Sequence, residues 1–306
     1  MDFGKIPEEQ LPEVQFALPA DSLFTNEVLK QAGKPAQPQI YIGCAKWGRK
    51  EWVGLIYPPK TKEATFLDEY VKHFNSIELN AVFYNMPKKE QIRTWREKAE
   101  AVRTDFKFCP KFTRGISHIR RLKNAEEDTN RYLESIYEFG PYLGASFLQL
   151  ADNFGPANFE VLRAYLQYLP HDFEIFVEVR HSAWFEDAAA RNDFFGMLKD
   201  LKKGAIITDA SGRRDCVHME LTTPQAFIRF VGNGLHPTDY VRIDAWVDRI
   251  SSWVDKGLQE VYFFLHQHDE KDTPVLGDYT VRKFNEKLSG SLAAPIFVNQ
   301  SPQLFT

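Results

Sequence analysis

Two periodicities share the chain from residue 39 onward. Short runs in which apolar residues follow one another occupy 39–43, 76–80, 106–109, 145–150, 173–179, 205–208, 226–230 and 261–266. Between them, the stretches 62–75, 88–103, 125–139, 158–169, 187–202, 239–256 and 278–288 repeat apolar residues every three or four positions. The first pattern predicts strands covered on both faces, as in a parallel sheet, and the second predicts amphipathic helices. Only the connection 210–225 carries neither. Eight strands with helical crossovers over roughly 260 residues predict an α/β fold, a single (β/α)8 TIM-type barrel. A doubly wound open sheet would want a glycine-rich turn after its first strand, and the segment Gly43-Cys44-Ala45-Lys46-Trp47-Gly48 lacks the GxGxxG spacing. The barrel is placed at 39–297. Residues 1–38, with several prolines and acids and one helical stretch at 22–31, read as an N-terminal extension on the domain surface, and 298–306 as a C-terminal tail.

Composition narrows the class. The 306 residues carry a net charge of −4, which argues against a general nucleic-acid coat while leaving room for a local basic patch. No apolar run approaches the length of a membrane span, and the acidic N-terminus does not read as a secretory signal. Cys44, Cys109 and Cys216 are far apart and form no CxxC, so reduced thiols and a cytoplasmic setting are expected. The 25 Phe, 12 Tyr and 6 Trp fit a large core packed with rings.

Chemistry in such a barrel is sought at the carboxyl ends of the strands. There the chain places Glu78 and Asn80 on strand two, Lys111 after strand three, Gln149 on strand four and Glu178 and Arg180 on strand five. Asp209 follows on strand six, Arg229 on seven, and His266, Gln267 and His268 on eight. Three acids (Glu78, Glu178, Asp209) and three cations (Lys111, Arg180, Arg229) balance. Two readings follow: an ion-pair network that closes the mouth, or a ligand site. The second implies that Glu178 is held for chemistry, so that Glu178→Gln melts near the parent protein.

Four segments, Lys50–Pro58 (KEWVGLIYP), Ile77–Pro87 (IELNAVFYNMP), Lys111–Leu122 (KFTRGISHIRRL) and Val177–Phe185 (VEVRHSAWF), resemble the YecE-like family, domain-of-unknown-function family 72, over about 39–297. The resemblance implies a TIM-type barrel and no established activity. It matches Trp47 and Trp52, then Glu78, Asn80 and Tyr84, then Lys111 and His118. Further matches are Gln149, the group Glu178, Arg180, His181 and Trp184, and finally Arg229 with Gly232. The chain departs from the family pattern at Cys44, Ala45 and Lys46, at Ala151 and Asp152, at Val231, and at His266 and Gln267.

The basic loop 111–123, with Lys111, Arg114, Arg120, Arg121 and Lys123, reads either as a solvated loop or as a lip that gathers an anion. Arg229 followed by Gly232-Asn233-Gly234 is compatible with a phosphate site after strand seven, or with a plain turn. His266 and His268 with the carboxylates suggest a divalent metal, which the neighbouring cations oppose. Trp47, Tyr84 and Trp184 could stack on a ligand or simply roof the barrel. The leading expectation is therefore an enzyme acting on a small anionic, phosphorylated substrate by acid–base chemistry without metal or other cofactor. Glu78 or Glu178 transfers the proton, Arg180 tunes its neighbour, Lys111 and Arg229 hold the anion, and His118 and Gln149 orient it. Asp209 is a further catalytic candidate. Asn80, Tyr84, His181, Trp184, Gly232, His266 and Trp47 complete the substrate contacts. The alternatives are a non-catalytic protein binding a nucleotide or nucleic-acid end through the 111–123 lip, and a metal-assisted hydrolase or isomerase centred on His266 and His268.

Overall fold

In the computed structural model, residues 3–298 are described, so all but the first residue of the expected tail lies outside them. Eight parallel strands, β1 (Gln39–Cys44), β2 (Ser76–Leu79), β3 (Lys107–Pro110), β4 (Ser146–Gln149), β5 (Ile175–Glu178), β6 (Gly204–Asp209), β7 (Gln225–Gly232) and β8 (Glu260–Gln267), run in the order β3-β2-β1-β8-β7-β6-β5-β4. The ring closes between β3 and β4 through single contacts: Gly144 N–H donates to Phe108 C=O at 2.8 Å and Phe112 N–H to Phe147 C=O at 2.9 Å. The helices are α1 (Leu23–Ala32), α2 (Phe66–His73), α3 (Ala81–Tyr84), α4 (Lys89–Glu100), α5 (Glu126–Ile136), α6 (Phe159–Tyr168), α7 (Ala183–Glu186), α8 (Ala188–Asp200), α9 (Pro237–Lys256) and α10 (Thr273–Leu288). The one-turn helices α3 and α7 leave no periodic signal and are missed by pattern reading. No helix among the described residues is long and apolar enough to cross a membrane.

Alternation along the strands sorts the interior into tiers. At the amino end, Gln225 Nε2 donates to Glu174 and Glu260 at 2.6 Å each. The middle is a plug of rings and small groups, with Tyr41, Phe147, Phe176, Phe227, Tyr262 and Phe264 around Ile206, Cys109 and Ala145. Further along β2 to β8 the same faces carry Glu78, Lys111, Gln149, Glu178, Thr208, Arg229 and His266, all buried. The apolar plug beneath denies these polar groups water from below, so they must satisfy one another or a ligand.

Outside, helices flank every crossover except that between β6 and β7, where the chain is irregular, as the pattern predicts. The N-terminal extension fills this gap. Ser22 caps α1 by accepting from Thr25 N–H at 3.1 Å. The buried Thr25 hydroxyl donates to Met219 C=O and accepts from Leu221 N–H, both at 2.8 Å. Leu29 enters the cluster of Val217, Met219, Leu221, Trp246, Trp253 and Leu258. On one side Lys199 of α8 pairs with Glu27 at 2.7 Å, and on the other Arg249 and Lys256 of α9 reach Asp21 at 2.8 Å. Gly257, with φ of +136°, ends α9 so close to α1 that a Cβ would stand 2.0 Å from Leu29 O. Thus α1 takes the position of the missing helix in the outer ring, and the extension is more than a surface layer.

Leu29→Ala should cost about 2–5 kcal/mol, the range for truncating a fully buried leucine. Chemical denaturation measures it. A loss below about 0.5 kcal/mol would mean that α1 only lies on the surface.

Candidate functional site

At the carboxyl end of the barrel a cavity of about 680 Å³ opens. Its floor is an ion cluster. Arg229, 1% exposed, grips Glu78 with two nitrogens at 2.9 and 2.8 Å and donates with its third to Glu178 at 2.6 Å. Arg180 Nε and the Thr208 hydroxyl both donate to the other Glu178 oxygen, at 2.9 and 3.0 Å. His266 Nε2 lies 2.9 Å from Glu78 Oε2, and Asn80 Nδ2 donates to Glu78 Oε1 at 2.7 Å. Burial works to raise both carboxyl pKa values, but the neighbouring charges outweigh it. Arg229 and His266 hold Glu78 well below its ordinary value, while Arg180, Arg229 and Lys111 hold Glu178 at about 2. Both acids are therefore anions at neutral pH, compensated by the two arginines.

Lys111 differs. Its Nζ donates to Gln149 Oε1 at 2.8 Å, lies 4.3 Å from the centre of the Phe83 ring, and makes no ion pair among the described residues. Burial, then the charge of Arg229, pushes its pKa down to about 7, although Glu178 and Glu78 pull the other way. His118, whose Nδ1 is 2.9 Å from the Ser117 hydroxyl, is pushed to about 4 by burial and by Lys111, Arg180 and Arg114, so it is neutral near pH 7. Lys46 and Arg114 stand exposed on the rim without ion pairs among the described residues. The exposed ring of Tyr84 and the N-terminal Phe3, 3.9 Å from the Arg180 guanidinium, complete the walls.

Of the residues singled out in the sequence, Glu78, Asn80, Tyr84, Lys111, His118, Gln149, Glu178, Arg180, Arg229 and His266 meet at this mouth. Asp209 does not. It is one residue out of phase with Gly204, Ile206 and Thr208, so its carboxylate faces the helices. There it accepts from Arg242 at 2.8 Å, Trp246 Nε1 at 2.7 Å and Arg214, tying α9 to the barrel. Thr208 is the inward residue of that strand, and the alternation would have identified it. Trp184 is fully buried and donates from its indole to Phe154 C=O at 2.7 Å. His181 caps the turn into α7 by accepting from Ala183 N–H at 3.2 Å. Trp47 packs edge-on against Trp95 behind the rim.

The glycine loop after β7 is also engaged by protein. Asn233 N–H donates to the Asp239 carboxylate at 2.9 and 2.8 Å, and Gly234 N–H to Gln267 Oε1 at 2.7 Å. At Gly232 a Cβ would stand 2.6 Å from the Gln267 amide nitrogen, so a larger residue would displace that side chain from Gly234. These amides already hold acceptors, so the expected phosphate contact at this loop is not formed by them. On the basic loop, Arg120 pairs with Asp128 and Arg121 with Asn153, turning two of its cations away from the mouth. Among the described residues, no three His, Cys, Asp or Glu side chains are grouped to hold a metal ion, the His266 and His268 region included.

A family model described as "Protein of unknown function DUF72" matches residues 41–299. The chain belongs to the DUF72 family. The UPF0759 protein YecE of Escherichia coli is 29% identical over 280 residues, covering 86% of this chain and 98% of YecE. YunF of Bacillus subtilis is 29% identical over 156 residues, or 48% of this chain and 52% of YunF. A DUF72 structure from Enterococcus faecalis superposes with a TM-score of 0.66 at 18% identity, covering 86% of this chain and 99% of that one. A second, from Thermotoga maritima, gives 0.57 at 20% identity, covering 82% and 100%. These likenesses bear on the DUF72 fold. The family model begins at residue 41, so α1 and Phe3 lie outside the stretch it describes.

The ion cluster generates a prediction that reverses the expectation for Glu178. Arg229→Met leaves two buried carboxylates without their main counterion, and Glu178→Gln takes from Arg180 its main counterion and from Arg229 one of its two. Each should destabilise the fold by about 3–5 kcal/mol. The sign of the pH dependence follows. With folded-state pKa values lowered, the parent holds this stability above the ordinary carboxyl range near 4.5 and loses it as pH falls toward 2. Without Arg229, burial favours the protonated acids, so the gap between parent and Arg229→Met should narrow on acidification. Urea titrations at pH 7 and pH 4 measure this, and a constant gap would refute the assignment.

Proposed function

We propose that the barrel mouth is the site of an enzyme acting on a small anionic, phosphorylated substrate by acid–base chemistry. The observation that carries the proposal is the charge left over once the cluster has balanced itself. Glu78 and Glu178 neutralise Arg229 and Arg180, and Arg49 pairs with Asp269; Lys111, Lys46 and Arg114, which make no ion pairs among the described residues, then outnumber the remaining acid of the lining, Glu270. A phosphate or carboxylate supplies the missing negative charge. In this reading Glu78 and Glu178 stabilise charge rather than carry protons, because their pKa values lie far below neutrality. Proton transfer passes to Lys111, the group poised near 7. Gln149 aims its amine, neutral His118 offers a ring beside it, and Tyr84 lines the entrance.

A non-catalytic binding role for nucleotide or nucleic-acid ends would draw on the 111–123 loop. The pairing of Arg120 and Arg121 with protein partners favours the smaller ligand held at the mouth.

Calorimetry with inorganic phosphate and a set of sugar phosphates tests the reading. Binding should weaken as pH rises through about 7, where Lys111 loses its charge. Lys111→Met should remove that dependence and lower affinity by about tenfold, the loss of one partly buried charge-assisted contact. Flat titrations at low salt with every compound, or an unchanged pH slope in the variant, would count against it.

A further inference from the structure

We propose that Lys111 is a covalent nucleophile, forming a Schiff base with the carbonyl carbon of an anionic aldehyde or ketone held in the mouth. This deepens the reading above, because it rests on the mouth binding an anion and names the class of substrate. Three features of the geometry point to it. The amine lies at a cavity wide enough for a small phosphorylated carbonyl compound, at the carboxyl end of β3. It is fixed by one acceptor, Gln149 Oε1, with the apolar rings of Phe83 at 4.3 Å and Phe147 at 5.8 Å beside it. It is also kept out of any ion pair while every carboxylate oxygen of Glu78 and Glu178 is held by other donors.

A lysine that only closed a salt link would be expected to touch a carboxylate. Desolvation beside another cation is the arrangement that leaves an amine neutral and nucleophilic. The charged and titratable groups facing Lys111 are Arg229 from β7, Glu178 and Arg180 from the end of β5, Glu78 from β2, and His118 from the turn after β3. With its pKa pushed down to about 7, Lys111 is neutral near pH 7 far more often than an ordinary lysine.

In the step, the Nζ lone pair attacks the carbonyl carbon and the C=O π pair moves to oxygen. That oxygen takes up the proton released by nitrogen, giving a carbinolamine. A second proton, from solvent water, lets the hydroxyl leave as water while the nitrogen lone pair forms the C=N⁺ bond. Amine, carbonyl compound and one proton thus yield iminium and water, with no change of oxidation state. The new cation lies near Glu178 and Glu78, whose fields offset part of the repulsion from Arg229 and Arg180. The substrate's own anionic group faces Lys46 and Arg114.

The full chain is incubated with dihydroxyacetone phosphate and sodium cyanoborohydride, which reduces an iminium to a stable secondary amine, and the adduct is mapped by peptide mass spectrometry. Parallel calorimetry with the same compound reports binding without reductant. The expected result is adduct concentrated on Lys111, at least about tenfold over any other lysine. Its yield should rise with a midpoint near pH 7, and unphosphorylated dihydroxyacetone should give less. Lys111→Arg should bind the phosphate compound but form no adduct there. Mapping on the parent chain keeps the test valid if a variant fails to fold. Binding without adduct on Lys111, or adduct spread evenly over exposed lysines, overturns the Schiff base and leaves the anion site standing. Absence of both binding and adduct overturns the two readings together.

Discussion

The structure turns on burying four charges at the top of an aromatic plug. Arg229 holds Glu78 on one side and Glu178 on the other, and Arg180 completes the balance from the strand end. Each ion costs several kcal/mol to remove from water, so none can stay without the others. This demand reaches outward. The four come from β2, β5 and β7, and Asn80, Thr208 and His266 supply the remaining contacts from β2, β6 and β8. The cluster thereby fixes the angular position of most strands at the mouth, where parallel pairing alone gives only their spacing. It also leaves Lys111 to be governed by what enters the cavity.

Much of this was legible in the chain. Eight apolar runs and the helical stretches between them map onto β1–β8 and the long helices, because a strand buried on both faces needs continuous apolar sequence. The polar strand ends stand out against that background. Residue phase was the weaker part of the reading. As the last residue of its strand Asp209 is expected in the mouth, but alternation from Ile206 puts Thr208 there instead. Trp184 and His181 belong to a motif whose other members do line the cavity. In the structure those two support the turn into α7, since a motif can hold wall and foundation together. The sequence singles out Tyr84 and not Phe83, which lies beneath Lys111, because the one-turn helix α3 offers no period from which to tell which ring faces inward.

Two features lay beyond local pattern. The placement of Phe3 over Arg180 joins positions far apart in sequence, and no spacing rule connects them. The lowered pKa of Lys111 depends on burial and on Arg229 at once, and neither can be read from the 111–123 loop. From sequence that loop reads either as a solvated loop or as a cationic lip. In the fold its cations divide: Lys111 sinks into the barrel, Arg114 stays on the rim, and Arg120 and Arg121 are occupied elsewhere.

The position of α1 has a consequence for how the chain is made. Thr25 finds its partner at Met219, 194 residues later in the sequence, and Arg249 and Lys256 must also be present to meet Asp21. At translation rates of about 5–20 residues per second, the first helix waits roughly 10–40 seconds for its seat. Throughout that interval Leu29 and Val28 have no native cover, in a chain whose closing contacts are already of high sequence separation. A segment made early is thus among the last to dock. Until it docks, the outer ring lacks its helix between α8 and α9, and the uncovered Leu29 and Val28 remain open to chaperones and proteases.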